Sequence, residues 1–287
     1  MRTLKSICLP LLLVGFFLVG CQKEDTIPQQ DYQSATDLLA AEVLFDEVFA
    51  MTDNASKQQG DLDGIVSDQP KAQDRGCMGV DLTTAGDWPN IFPITLTLDF
   101  GDDCTTQNGN EISGKIVTTF SGKLSDEGTT ATLELQNFAM NGFQISGAKE
   151  WTNLGLNNDG MFHYRVEVKD GQIVTPNGKT ITYETQNIRT WVEGMNTNFW
   201  TNGIDGITDD VWEVTGTASG INRNGVAYTA TIQNPWRHQA NCEWLTAGST
   251  DIQTSNLPDL IKLDFGDGQC DDKAVISIGN FSREIQL

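Results

Sequence analysis

Acidic side chains are the commonest groups in this sequence that could do chemistry. The chain carries 39 Asp and Glu residues against 18 Lys and Arg. Asp99 and Asp264 stand out because each occupies the second position of a repeated Leu-Asp-Phe-Gly-Asp sequence. Two carboxylates held roughly 5 to 10 Å apart cleave glycosidic bonds in many hydrolases, whereas an Asp beside a Gly at a strand end shapes a turn. The turn is the favoured interpretation, and a binding or catalytic role is the alternative.

Recognisable catalytic motifs are missing from the sequence. It contains no Gly-x-Ser-x-Gly elbow, no phosphate-binding loop and no His-Glu-x-x-His spacing. The two histidines, His163 and His238, are far apart in the chain and are expected to be structural. We therefore predict a protein without enzymatic activity, and the alternative is a secreted-type hydrolase such as a glycosidase that uses paired carboxylates.

Three segments concentrate oxygen atoms that calcium prefers as ligands. They are "DFGDD", "DFGDGQCDD" and "DGITDD", which ends at Asp210. None follows the twelve-residue order of an EF-hand loop, so we predict no metal or other cofactor. A calcium-dependent adhesin stays open as an alternative.

The seven tryptophans form a second set of candidate binding residues. Indole rings stack on sugar rings, but in strand-like runs they more often pack in the core. Trp200 lies in the polar stretch "NTNFWTNGIDG" and is the one most expected to be exposed. The predicted binding residues are therefore Trp200, Asp99 and Asp264, with a glycan as one candidate ligand.

An internal repeat relates four cysteines. Cys77 and Cys242 each precede a Leu-Asp-Phe-Gly-Asp sequence by the same distance, and Cys104 and Cys270 follow it closely. Four cysteines in an exported protein allow three disulfide pairings. The repeat favours two local units, 77–104 and 242–270, each an antiparallel strand pair closed by its own disulfide.

The N-terminus has the features of a targeting segment. Arg2 and Lys5 precede an apolar run that is too short to span a bilayer, as in a secretory signal peptide. The sequence Leu18-Val19-Gly20-Cys21 resembles the lipobox of bacterial lipoproteins. We predict that residues 1–20 are removed and that Cys21 carries the lipid, with an ordinary signal peptide as the alternative.

The next segments predict a tether and one helix. Residues 21–33 are polar and are predicted to be a flexible tether. Apolar residues at helical spacing predict an amphipathic helix over 34–53 that docks on the main core, with Ser34 as its N-cap. Residues 54–76 are rich in Gly, Gln and Asp and are predicted to be a linker.

The remainder, residues 77–287, predicts a β domain. Asn-Gly and Asp-Gly pairs recur along it and supply the positive φ angles of hairpin turns. Runs such as "TATLELQNF" and "FHYRVEV" alternate apolar and polar residues between these turns. The fold class is therefore mainly β, an antiparallel meander that forms a sandwich or a strongly curved sheet, with one N-terminal helix.

The formal net charge of −21 disfavours nucleic acid as a partner. The segment "QKED" after Cys21 resembles the export signal of surface lipoproteins in the Bacteroidota. The helix, the repeated "DFG" before cysteine and "SGKIVTTFSG" resemble β-rich lipoproteins of these bacteria. The resemblance implies an outer-membrane protein, held by the lipid on Cys21 and facing the cell exterior. We predict a binding or structural module for a glycan, matrix or protein partner.

Overall fold

The computed structural model describes residues 29–58, 77–87, 90–106, 109–196 and 208–287. The predicted signal peptide, Cys21, most of the predicted tether and Trp200 lie outside these residues. Within them the protein is mainly β, with a single helix. The elements are α1 Gln29–Gln58, β1 Gly79–Thr84, β2 Ile94–Asp99, β3 Cys104–Thr105, β4 Glu111–Phe120, β5 Thr130–Met140, β6 Phe143–Leu156, β7 Phe162–Val174, β8 Thr180–Glu193, β9 Val211–Ile221, β10 Ala227–Gln239, β11 Leu245–Thr254, β12 Ile261–Asp267, β13 Lys273–Ile278 and β14 Phe281–Gln286.

The strands form one 14-stranded antiparallel sheet in which each strand pairs with its neighbours in sequence. Only β3 leaves this path, because it pairs with β4 beside β2. The Asn-Gly turns behave as predicted: Asn141 and Gly142, between β5 and β6, have φ angles of 51° and 80°. The predicted antiparallel meander is confirmed, and it is one open sheet rather than two packed sheets.

The sheet curves around α1. A flat sheet of this many strands would be roughly 60 Å wide, whereas a helix with its side chains is about 10–12 Å across. Nevertheless α1 contacts β2 and β4 near one edge and β11 and β12 near the other. Only a strongly curved sheet brings both sides to one helix, so the curved alternative is the correct one.

The core lies between α1 and the concave face of the sheet. Alternate residues of β2, Ile94, Leu96 and Leu98, are fully buried, as expected for strands covered on one face. On α1 the buried residues recur every three or four positions, for example Leu38, Ala41, Phe45 and Val48.

The predicted helix is confirmed, but its ends differ from the prediction. It begins at Gln29 and ends at Gln58, beyond both ends of 34–53. Ser34 is therefore not the N-cap; its Oγ is buried and accepts a hydrogen bond from Asn222 Nδ2 at 2.9 Å. Residues 29–33 are helical rather than part of a flexible tether.

Among the described residues, no helix combines the length and apolarity needed to cross a membrane.

The connections between strands fall into two groups at opposite ends of the sheet. We call the "turn end" the end that carries the turns at 141–142, 175–179, 222–226, 255–260 and 279–280. The "loop end" carries the connections at 121–129, 157–161 and 240–244, and residues 194–196 and 208–210 that follow β8 and precede β9. Because Asn222 and Arg223 bind Ser34 and Asp37, α1 begins at the turn end and runs toward the loop end.

Both predicted disulfides are present. Cys77 pairs with Cys104 and Cys242 with Cys270, with Cα atoms 5.3 Å and 5.8 Å apart. The first unit contains the antiparallel pair β1–β2 and the second contains β11–β12. The internal repeat therefore identified two local units with the same strand-pair architecture.

Removal of the second disulfide tests how much such a unit stabilises the fold. The chain segment that it closes has a sequence separation of 28 residues. The double variant Cys242→Ala and Cys270→Ala is expected to lower the free energy of unfolding by about 3–4 kcal/mol, because the unfolded chain gains conformational freedom. Urea unfolding under non-reducing conditions measures this change. Since the first disulfide closes a loop of similar length, Cys77→Ala with Cys104→Ala is the matched comparison. A loss below about 1 kcal/mol in both would contradict the expectation.

Candidate binding site at the loop end

The predicted acids Asp99 and Asp264 do not converge. They lie on β2 and β12, which stand near opposite edges of the sheet. Each is flanked by buried residues, Leu98 with Phe100 and Leu263 with Phe265. Since side chains alternate along a strand, both carboxylates point to the outer face, away from the core.

Both acids form the same local turn. Gly101 N–H donates to Asp99 Oδ1 at 3.0 Å, and Gly266 N–H donates to Asp264 Oδ1 at 2.8 Å. The two glycines have φ angles of 63° and 87°, a conformation that favours glycine. Asp99 also pairs with Lys115 at 2.7 Å, and the hydrogen bond from Lys115 lowers its pKa. This geometry supports the turn interpretation for both acids.

The tryptophans divide between the core and the loop end. Trp236 is buried; its Nε1–H donates to Thr250 Oγ1 at 2.7 Å, and its ring packs edge-on against Phe265. Trp200, the predicted binding residue, lies outside the described residues. Trp151, Trp191 and Trp212 come together with two other aromatic residues on the concave face.

We call this group the aromatic row, and it consists of Phe49, Trp151, Tyr164, Trp212 and Trp191. Successive ring centroids lie 4.7, 5.2, 5.8 and 5.1 Å apart. All of these side chains are half-buried. The row therefore extends from α1 across four strands of the sheet to the loop end.

The strand register explains why these side chains meet. Trp191 on β8 is directly opposite Trp212 on β9, and Tyr164 on β7 is opposite Arg189 on β8. Directly opposed residues share one face of the sheet, so their side chains contact one another. The fifth ring, Phe49, comes from the last turns of α1 and stacks on Trp151.

The rings of the row cover one another's faces. Phe49 and Trp151 are nearly parallel, with 6° between their planes, and Trp191 and Trp212 are 19° apart. Arg189 lies over the face of Trp151, 5.7 Å from the ring centroid. Stacking thus covers one face of each of these four half-buried rings, whereas Tyr164 is tilted by 44° and 52° to its two neighbours.

A cluster of charged side chains lies beside the row, between α1 and the sheet; Lys149, Glu42 and Arg189 are largely buried, and Asp46 is 36% exposed. Arg189 donates from one terminal nitrogen to both oxygens of Asp46 at 2.7 Å and to Glu42 Oε1 at 3.1 Å. Lys149 Nζ donates to Asp46 Oδ1 and to the carbonyl oxygen of Phe45. Tyr183 donates its hydroxyl hydrogen to Glu42 Oε2. Both oxygens of each carboxylate thus have a partner.

The pKa values in this charge cluster follow from burial and from charge. Burial, reinforced by the Asp46 charge, raises the pKa of Glu42. Burial opposes ionisation of Asp46 as well, but Arg189 and Lys149 outweigh it and hold the pKa of Asp46 well below its usual value. Burial lowers the pKa of Lys149, whose side chain is only 2% exposed. The pKa of Tyr183 rises because the group is buried and faces Glu42.

This charge cluster is suited to fixing α1 on the sheet. Its carboxylate oxygens are engaged by protein donors, so the geometry favours positioning over proton transfer to a substrate. Lys149 lies 5.6 Å from the ring centroid of Phe49, and Arg189 covers Trp151, so the same cations hold two rings of the row. The sequence prediction missed this cluster. Its signal was the placement of Glu42 and Asp46 at positions i and i+4 beside the apolar Ala41 and Phe45.

The segments considered for calcium do not form a ligand cluster in the described part of the chain. There, no three His, Cys, Asp or Glu side chains are grouped so that they could hold a metal ion. Residues 205–207 of "DGITDD" lie outside the described ranges. His163 makes a turn contact, with its Nδ1 3.1 Å from the carbonyl oxygen of Gly155, which fits a structural role.

The chain matches no known protein family, no curated protein and no solved structure.

Proposed function

We propose that this protein is a lipid-anchored module of the outer-membrane surface that binds a protein partner through the aromatic row. The observation that carries the proposal is the row itself. Half-buried Trp and Tyr side chains reach the loop end of the sheet, and Arg189 lies over the ring of one of them, Trp151. Trp and Tyr are the residues most enriched at the energetic centres of protein interfaces.

The ring geometry favours a polypeptide over a sugar. A sugar ring stacks on an open aromatic face, but in this row stacking covers one face of each of four rings, and Arg189 lies over Trp151. Ring edges and the adjoining polar groups instead suit the irregular surface of a protein. The net charge of −21 favours a partner whose contact surface is basic.

The anchor is supported by the sequence features at Cys21. Diacylation of this cysteine would supply two acyl chains, and two chains give stable membrane attachment. The "QKED" segment directly after Cys21 supports export to the outer surface.

Substitution of Trp191 by alanine tests the binding role. This side chain ends the row and contacts Trp212, so its loss disturbs the described core little. Binding to a panel of purified extracellular-matrix proteins is measured by surface plasmon resonance, with a glycan array in parallel. The expected result is saturable binding to a basic panel member that weakens about tenfold in Trp191→Ala, equivalent to about 1.4 kcal/mol.

The matched control is Val275→Ala, because Val275 is exposed on β13, away from the row. It is expected to bind like the unmodified chain. Equal weakening by both substitutions would contradict the proposal. Binding to the glycan array without binding to any protein of the panel would show that the ligand is a sugar and not a protein. An unchanged affinity of Trp191→Ala would show that the row is not part of the binding site.

A further inference from the structure

The turn end lies close to the predicted lipid anchor. Only residues 22–28 separate Cys21 from Gln29, where α1 begins. Such a segment reaches at most about 27 Å when fully extended. The 30 residues of α1 span about 45 Å. The anchor can therefore hold the turn end against a bilayer, while the loop end lies well beyond the reach of residues 22–28.

Three of the seven exposed large apolar side chains in the described part of the chain lie at this same end. Ile221 is 44% exposed, Leu260 37% and Phe281 48%. Ile221 closes the β9–β10 turn opposite Ala227, Leu260 directly precedes β12, and Phe281 closes the β13–β14 turn opposite Ile278. Three hairpins, β9–β10, β11–β12 and β13–β14, thus each place one large apolar side chain at the turn end.

The charges at the turn end indicate which side of it faces lipid. Lys179 lies in the β7–β8 turn and Asp259 between β11 and β12, while the charge of Arg223 in the β9–β10 turn is paired with the buried Asp37. On the other side, the exposed Asp102 and Asp103 follow β2. Acids are repelled by anionic headgroups, whereas exposed apolar side chains suit the interface. The favourable side is therefore formed by β7 to β14.

We propose that the turn end is a membrane-contact surface on which the protein rests on the bilayer that holds Cys21. Ile221, Leu260 and Phe281 enter the interfacial region, and the aromatic row points away from the membrane. This inference rests on the lipid anchor of the proposed function. It adds the orientation in which the row is presented, at the end of the sheet farthest from the lipid.

Fluorescence quenching in vesicles tests this orientation. The lipidated full chain is purified from membranes and placed in vesicles of phosphatidylethanolamine and phosphatidylglycerol that contain a headgroup spin label. One fluorophore is attached at Asn224→Cys, in the β9–β10 turn, or at Asn158→Cys, in the β6–β7 connection at the loop end. The label at position 224 is expected to lose most of its emission, and the label at position 158 is expected to keep it.

Substitution of exposed apolar residues by glutamate tests the proposed contacts with the bilayer. Phe281→Glu with Leu260→Glu is expected to restore much of the emission at position 224. The control Leu156→Glu alters a side chain that is 57% exposed but lies at the loop end, and it should change nothing. Equal quenching at both positions, no quenching at either, or an unmodified Cys21 by mass spectrometry overturns the inference. Binding of a protein partner is measured on the lipid-free chain. A failure to bind would therefore contradict the proposed function without affecting the orientation measured by quenching.

Discussion

Replacing Arg189 by alanine is expected to lower the free energy of unfolding by about 3–5 kcal/mol. Arg189 is the cation shared by Glu42 and Asp46, and its side chain is only 17% exposed. Without it, Glu42 keeps only the hydroxyl of Tyr183, and Asp46 keeps only Lys149. The cost comes from two carboxylates that lose the cation they share, and urea unfolding measures it.

A second set of variants separates the effect of the lost ion pairs from the effect of the lost side-chain volume. Removing all four charges together, as in Arg189→Met and Lys149→Met with Glu42→Gln and Asp46→Leu, should recover much of the stability, because buried ion clusters are often replaceable by packed neutral groups. If Arg189→Ala alone lowered the free energy of unfolding by less than about 1 kcal/mol, the cluster would not be what holds α1 on the sheet. The control Arg237→Ala removes two ion pairs on the outer face, with Glu193 and Glu213, and should cost at most about 1 kcal/mol.

The acid dependence of stability gives an independent readout of the same charge cluster. The pKa of Asp46 is lowered in the folded protein, so its contribution is present above its unfolded pKa of about 3.9 and is lost as the pH falls below that value. The raised pKa of Glu42 acts in the opposite direction, since its protonation favours the folded state. When the pH is lowered from about 4 to about 2, the free energy of unfolding is therefore expected to decrease less in Asp46→Asn than in the unmodified chain.

Local sequence signals predicted the parts of the fold that depend on neighbouring residues. Asn141-Gly142 and similar pairs set hairpin turns, and the turns with alternating apolar residues between them define an antiparallel meander. The repeat around Cys77 and Cys242 identified both disulfides because each bridge closes a short local unit. The sequence did not decide between a sandwich and a strongly curved sheet, since the curvature depends on how the whole sheet packs around α1.

The ends of the helix were not predictable from local capping signals. Ser34 and Asp37 look like N-cap and first-turn residues, but their side chains bind Asn222 and Arg223 from the β9–β10 turn. Asp37 is fully buried, and Arg223 donates to it from its side chain and its backbone. These contacts with a distant turn allow α1 to continue back to Gln29, because tertiary contacts override local propensity.

The aromatic row was hidden for a related reason. Phe49, Trp151, Tyr164, Trp191 and Trp212 come from four strands and a helix, and only the strand register places them on one face. The sequence prediction weighted Trp200 because its surroundings are polar. Polarity of neighbours identifies exposed candidates, but a half-buried site on a curved sheet is defined by residues that are far apart in the chain.

Phe45 to alanine is expected to destabilise the protein by about 3–5 kcal/mol, which tests whether α1 is part of the core. Phe45 is 1% exposed and stacks on Tyr183 with ring centroids 5.8 Å apart. It lies above the bare backbone of Gly171, where an added Cβ would be 3.2 Å from its ring. Neighbouring side chains cannot fill the space that alanine leaves, so a cavity adds to the lost burial.

The matched control is Val43→Ala on the same helix, because Val43 is 55% exposed and its truncation should change stability by no more than about 0.5 kcal/mol. Thermal and urea unfolding of both variants should show one cooperative transition, since α1 and the concave face share one core. If Phe45→Ala and Val43→Ala were equally mild, α1 would be a peripheral element, and the charge cluster that joins Glu42 and Asp46 to the sheet could not be what fixes it there.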